Sequence, residues 1–301
     1  MNKKVLAVYF SQTGQLGQII DRFTAPLEKA GASVEKLVIQ PAKQFPFPWT
    51  SPAFFGAMPD CVLLKPAELE PFTLRESSYD LIIIGYQPWF LSPSIPANSF
   101  LQHPAFLAVA RNTPVVTISG CRNMWINAQE KIKGLLSRAG ARLVGNIALV
   151  DKHNNYVSLV TIIHWMFSGR RDKKWGIFPK PGVTDEDIAN SAIFGETVSA
   201  HLAGNNWESL QPRLVEQKAI QIKYHLMFFE GKGARIFPIW ANLINKKTNK
   251  DPWVTGFKYY LLFALLIMGP LMLLIDTLFF RWFKLNRIKE QKQYYSGVAL
   301  N

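Results

Sequence analysis

The stretch VYFSQTGQLGQII, residues 8–20, decides how this chain folds. A β-branched and aromatic run over 5–10 stops at a small polar cluster, Ser11, Gln12, Thr13, Gly14 and Gln15. An amphipathic pattern follows, with Ile19, Ile20, Phe23 and Leu27 on one face. A short apolar run of that kind reads as a buried parallel strand, and the period after it predicts a helix over 17–30. A polar loop between strand and helix presents unpaired N–H groups at the positive end of the helix dipole, where anions bind. Ser11, Thr13 and Gln15 add side-chain donors, and Gly14 lets backbone approach a ligand closely. The stretch carries neither G-x-G-x-x-G nor GK[ST], which argues against a dinucleotide or a nucleoside triphosphate. Taken alone, the loop has a plainer alternative, a polar helix cap with no ligand.

Working outward, the strand-helix alternation continues through the first half. Strands are expected at 33–39, at 80–85 (DLIIIG), at 114–119 (PVVTIS) and at 142–150 (RLVGNIALV), with helices at 97–110 and 125–139. Prolines at 41, 46, 48, 52 and 59 predict irregular loop over 41–60. The alternation implies an α/β fold, a five-stranded parallel sheet with helices on both faces. Ligands of such sheets bind at the carboxyl ends of the strands. At those ends Gln87, Pro88, Trp89, Phe90 and Leu91 supply a proline-stiffened aromatic wall, and Ser119, Gly120, Cys121 and Asn123 a glycine-lined loop. A phosphate cradle, an aromatic wall and a glycine loop on one edge suit a planar ring with a phosphorylated tail; flavin mononucleotide (FMN) fits.

S-x-T-G after the first strand, DLIIIGYQPWFLSPSIP and TISGCRN resemble the three cofactor loops of the flavodoxin-like flavoproteins over roughly residues 3–155. The resemblance implies that the first loop, 11–16, takes the FMN phosphate and that the other two flank the isoalloxazine ring. Leu16 stands where the family often has Thr or Asn, which removes one phosphate donor. FSQTGQL, FPFPW, WFLSPSIP, GCRNMW and VGNIALVD are similar, more closely, to flavodoxin-like proteins of dialkylresorcinol and aryl-polyene biosynthesis, often labelled dialkylresorcinol condensing enzymes. That resemblance implies an aromatase, oxidising a 2,5-dialkylcyclohexane-1,3-dione, made by a partner ketosynthase, to the resorcinol. His153, after the last strand, and Arg122, in the third loop, are the candidate catalytic residues. Each also reads as an ordinary surface residue. Alternative readings are a membrane NAD(P)H:quinone reductase and a non-catalytic scaffold that tethers a ketosynthase.

The second half differs in kind. A formal net charge of +13 calls for an anionic partner, and 49% apolar residues exclude a disordered chain. Two cysteines without a CxxC pair point to neither a disulfide framework nor a metal site. GFKYYLLFALLIMGPLMLLIDTLFFRWFK, 256–284, is apolar with aromatics at both ends, and lysines and arginines flank it. As a helix, 257–280 would reach roughly 36 Å, against about 30 Å of hydrocarbon. Basic flanks at both ends and Gly269-Pro270 in the middle suggest two short helices turning there within one leaflet; a kinked single span competes. A second apolar and basic stretch, 156–182, reads as an interfacial element or, equally, as a partner-binding lid near the cofactor edge. The expected organisation is a flavodoxin-like FMN-binding domain over 1–205, carrying that insertion, and a helical region over 206–301 with a membrane-embedded segment at 257–283. Expected partners are a lipophilic small molecule, membrane lipid at the cytoplasmic face of the inner membrane, a ketosynthase and a second copy of the chain. Nucleic acid is not among them, since the cations sit beside aliphatic runs and no nucleic-acid module is recognisable.

Overall fold

The computed structural model describes residues 3–300. One parallel sheet holds β1 (Lys4–Tyr9), β2 (Ser33–Val38), β3 (Leu81–Tyr86), β4 (Pro114–Cys121) and β5 (Arg142–Val150) in the order β2-β1-β3-β4-β5. Every adjacent pair is parallel. β3, LIIIGY, is buried along its whole length, as a central strand covered on both faces must be. The order reverses between β1 and β3, which makes that edge the topological switch point.

On one face α1 (Gln15–Lys29) packs against α8 (Asp185–Gly204), through Ile20, Phe23 and Leu27 with Phe194, Val198 and Leu202. Thr184 caps α8 by accepting from the Asp187 N–H at 3.1 Å. The other face carries α4 (Ile95–Leu101), α5 (Pro104–Ala110) and α6 (Ile126–Arg138). The expected helix at 97–110 is thus two helices, broken where Pro104 disfavours helical backbone at His103.

The 41–60 loop also holds more structure than its prolines predict, namely α2 (Ser51–Gly56) and α3 (Met58–Val62). Pro52 and Pro59 stand in the first turn of each helix, where no N–H is missed. Thr50 caps α2 by accepting from the Ala53 N–H at 3.3 Å.

Beyond β5 come α7 (Asn155–Ser168), α9 (Leu210–Glu216) and α10 (Tyr224–Asn245). Leu210, Leu214 and Ala219 join the core that also holds Val5 and Ile19. Next follows the apolar segment, α11 (Asp251–Phe263), α12 (Gly269–Ile275) and α13 (Leu285–Ser296). From Asp251 to Ser296 it forms a helix of 46 residues, long and apolar enough by length and composition to cross a membrane.

The expected turn at Gly269-Pro270 is not there. Gly269 is helical (φ −61°, ψ −55°), and a π-helical turn over Ala264–Met268 accommodates the N–H that Pro270 lacks. The chain reverses instead between α10 and α11, and the two arms run antiparallel. Trp240 meets Phe257 and Tyr260, Phe229 lies against Gly269, and the Tyr224 hydroxyl bonds Asp276. Both ends of the apolar segment then rest on the α/β domain. Phe257 is buried with Phe55 and Met58. Tyr294 donates to Glu130 at 2.8 Å, and Gln211 donates to the Ser296 carbonyl at 2.8 Å.

Candidate functional site

Three loops leave the carboxyl edge of the sheet. The first runs from Ser11 to Gly14. Gly14 is left-handed (φ 81°) and caps α1, with open space where a Cβ would stand. The Ser11 hydroxyl accepts from the Gly17 N–H at 3.3 Å. Among the described residues, the Thr13, Gly14 and Leu16 amides have no acceptor in the chain. That leaves donors at the positive end of a 15-residue helix, an anion site in the making.

The side chains of this loop divide their labour. Gln12 donates to the Phe45 and Pro46 carbonyls at 3.3 and 3.1 Å, and its N–H donates to Gln87 at 3.4 Å, which joins the first loop to the second. Gln15 points away from the loop. Its amide brackets Val183, donating to the carbonyl and accepting from the N–H, both at 3.0 Å. Leu16 is buried in the core beside Ile19. The donors left to face a ligand are therefore the half-buried Ser11 and Thr13 and the backbone.

The second loop is a tight hairpin, Pro88–Trp89 paired with Ser92–Pro93. Phe90 and Leu91 at its tip are both left-handed (φ 46° and 58°), as a type I′ turn demands, and neither is a glycine. Trp89 packs edge-on against Phe10, Phe45 and Trp49 at 5.8, 5.1 and 5.2 Å. Phe90 reaches Phe54 of α2 at 4.7 Å and Phe257 of α11 at 6.2 Å, so the tip is held between those two helices.

The third loop follows β4. Cys121 and Arg122 accept from the Asp151 N–H through their carbonyls, at 3.1 and 2.8 Å. Burial pushes the Cys121 thiol well above its ordinary range, which makes it a packing group rather than a thiolate. The Arg122 guanidinium donates to the Ser158 hydroxyl at 3.0 Å and the Asn155 carbonyl at 2.9 Å; burial brings it down to about 10. Asn123 donates to Asn155 at 2.8 Å. Arg122 and Asn123 together moor the start of α7 over this loop.

His153 stands just beyond β5. Its Nδ1 lies 2.6 Å from Asp151 Oδ1, which also accepts the His153 N–H at 2.9 Å. Asp151 is 2% exposed, and its second oxygen has no partner among the described residues. Asp151 was legible as an acid two residues before His153. Val183, Asn155 and Glu230 had no such signal. Glu230, on α10, is buried at the first turn of α6, where it accepts from the Ile126 and Asn127 N–H groups at 3.3 and 2.9 Å. Burial holds its carboxyl at about 7.

No protein-family model and no curated protein matches the chain. Solved structures resemble part of it. A flavoprotein from Lactobacillus acidophilus in complex with FMN is 15% identical over 48% of this chain and 93% of its own, with a TM-score of 0.40. A flavoprotein from Bacteroides eggerthii is 16% identical over 56% and 99%, at 0.40. Oxidised flavodoxin 1 from Bacillus cereus is 14% identical over 67% and 97%, at 0.34. The assignment itself comes from topology: doubly wound sheets of this strand order deliver their ligand loops at one edge around a β1/β3 switch point, this chain does the same, and its fold is flavodoxin-like.

Proposed function

We propose that this chain is a membrane-associated, FMN-dependent oxidoreductase that aromatises a 2,5-dialkylcyclohexane-1,3-dione to a dialkylresorcinol. The observation that carries the cofactor is the first loop, with a left-handed Gly14 and unclaimed amides at the mouth of α1, tied through Gln12 to the aromatic second loop. These groups fit a phosphate ester. Ser11, Thr13 and the Thr13, Gly14 and Leu16 amides would hold it, and the loops at 87–91 and 119–123 would flank the ring. Bound there, FMN supplies a two-electron acceptor for the hydride that leaves a ring becoming aromatic. The chain's own task is to orient the dione, keep water away and receive the proton beside the carbonyl.

A lipid surface accounts for the second half. Phe263, Ile267, Leu271, Leu274 and Leu278 are exposed at three- and four-residue spacing, and Leu266, Ile275, Phe279 and Phe280 are exposed beside them, which makes a broad apolar stripe. Lys246, Lys247 and Lys250 precede this stripe, and Arg281, Lys284 and Arg287 follow it, as an anionic membrane favours. The cytoplasmic leaflet is the proposed location.

The deciding experiment is the visible spectrum of purified protein. A flavin spectrum that bleaches anaerobically when a dialkylcyclohexanedione is added is the expected result. Colourless protein that takes up no FMN refutes the redox function and leaves the ketosynthase scaffold. Bleaching by NAD(P)H but not by the dione favours the quinone reductase.

A further inference from the structure

A cavity of about 310 Å³ lies between the start of α7, the end of β5 and the helices α10 and α12, beside the third loop. Its walls are of two kinds. Asp151, His153 and Lys223 line one part, and Leu226, Phe229 and Leu273 line another. Apart from Val150 at the end of β5, the apolar part comes from the helix pair whose outer face carries the exposed stripe. Leu273 is a cavity wall, while its neighbour Leu274 is 55% exposed. One helix therefore presents apolar side chains to the cavity and to the outside at adjacent positions.

The polar part is organised for proton transfer. With the Nδ1 proton directed at Asp151 Oδ1, 2.6 Å away, His153 Nε2 is left as an acceptor, and among the described residues it has no partner. Among the described residues the second oxygen of Asp151 has no partner, so the hydrogen bonds of this buried carboxyl group go to the ring and the N–H of His153. The volume lies at the lower end of the range for small-molecule pockets, about 300–1,000 Å³.

We infer that this cavity binds an alkyl-tailed amphiphile with an oxygen-bearing ring head, the tail along Leu226, Phe229 and Leu273 and the head at His153, whose Nε2 takes a proton from the head. The identity of the head rests on the redox function proposed above; the site itself does not. In the transfer the head's acidic C–H bond breaks, its electron pair stays on the head, and the N–H bond forms on His153. Asp151 balances the imidazolium charge.

The test uses the unaltered full chain in detergent and a 2,5-dialkylcyclohexane-1,3-dione bearing a diazirine in one alkyl tail. After irradiation, mass spectrometry is expected to find the label on 223–229 or on Leu273. An excess of unlabelled dialkyl dione competes it away, and cyclohexane-1,3-dione without tails does not. Label confined to other segments overturns the proposal. L273W, which fills the cavity, is expected to lower probe affinity at least tenfold, with L226W as the second variant should L273W fail to fold. Unchanged affinity in a folded variant overturns it as well. H153Q is expected to retain the label and to slow turnover of the dione by about 10²- to 10⁴-fold; turnover equal to the parent removes the proton-transfer role. Labelling at the cavity in protein that takes up no FMN would refute the redox function and leave the amphiphile site standing.

Discussion

Replacing Glu230 by glutamine probes the joint between the helix pair and the α/β domain. Glu230 is 1% exposed, and both its carboxyl oxygens accept backbone N–H groups from the first turn of α6. Desolvation raises its carboxyl from 4.5 to about 7, against the opposing pull of those hydrogen bonds. A carboxyl raised on folding contributes stability that is complete below the unfolded value and is lost as pH climbs through the folded one. The loss therefore falls between pH 4.5 and pH 7. At 1.36 kcal/mol per unit it amounts to about 3 kcal/mol. E230Q keeps one acceptor oxygen and cannot ionise. Its NH₂ faces one of the two N–H groups, so its stability is offset at every pH, but the pH dependence from this site vanishes. With roughly 2 °C in Tm per kcal/mol for a chain of this size, the Tm difference between the two proteins should change by about 6 °C from pH 4.5 to pH 8, in favour of the variant. Parallel thermal melts of parent and E230Q across that range, in one detergent, make the measurement. Two curves that stay parallel would refute a buried, raised carboxyl at the joint.

Other substitutions separate roles within the site. G14A forces a Cβ into left-handed backbone at a cost of about 1–2 kcal/mol and crowds the approach to the free amides; FMN affinity, read by quenching of flavin fluorescence, should fall at least tenfold. Q15A should leave FMN affinity within about threefold but destabilise the chain by about 1–3 kcal/mol, since the Val183 N–H and carbonyl both lose their partner; a selective loss of FMN in urea-stable protein would make Gln15 a phosphate ligand after all. Introducing L274E with L278E, both on exposed positions, should preserve the melting profile and reduce sedimentation with anionic vesicles by more than tenfold; unchanged sedimentation would place the lipid contact elsewhere.

What the sequence made legible follows range of interaction. DLIIIG could only be a strand buried on both faces, and once five such runs alternate with helices the edge that carries the loops is set. The prolines of 41–60 misled because the same residue that breaks a helix inside also opens one at its first turn, and only the cap at Thr50 distinguishes the two. Gly269-Pro270 misled for a related reason: in a long apolar helix a π turn absorbs the missing N–H, so the reversal moves to the polar stretch between α10 and α11. Gln15 carried no local mark of its partner, which lies 168 positions along the chain. His153 was the part of the cavity read from the sequence; Asp151, two residues before it, and the wall from α10 and α12 were not.

The return of the apolar helix to its own domain has a consequence for traffic in a bilayer. With Phe257 seated at one end and Tyr294 at the other, neither extremity is free to emerge on the far side. Such a chain would skim a single monolayer like a keel. Molecules inserted in the opposite monolayer would have to flip before they could reach such a chain.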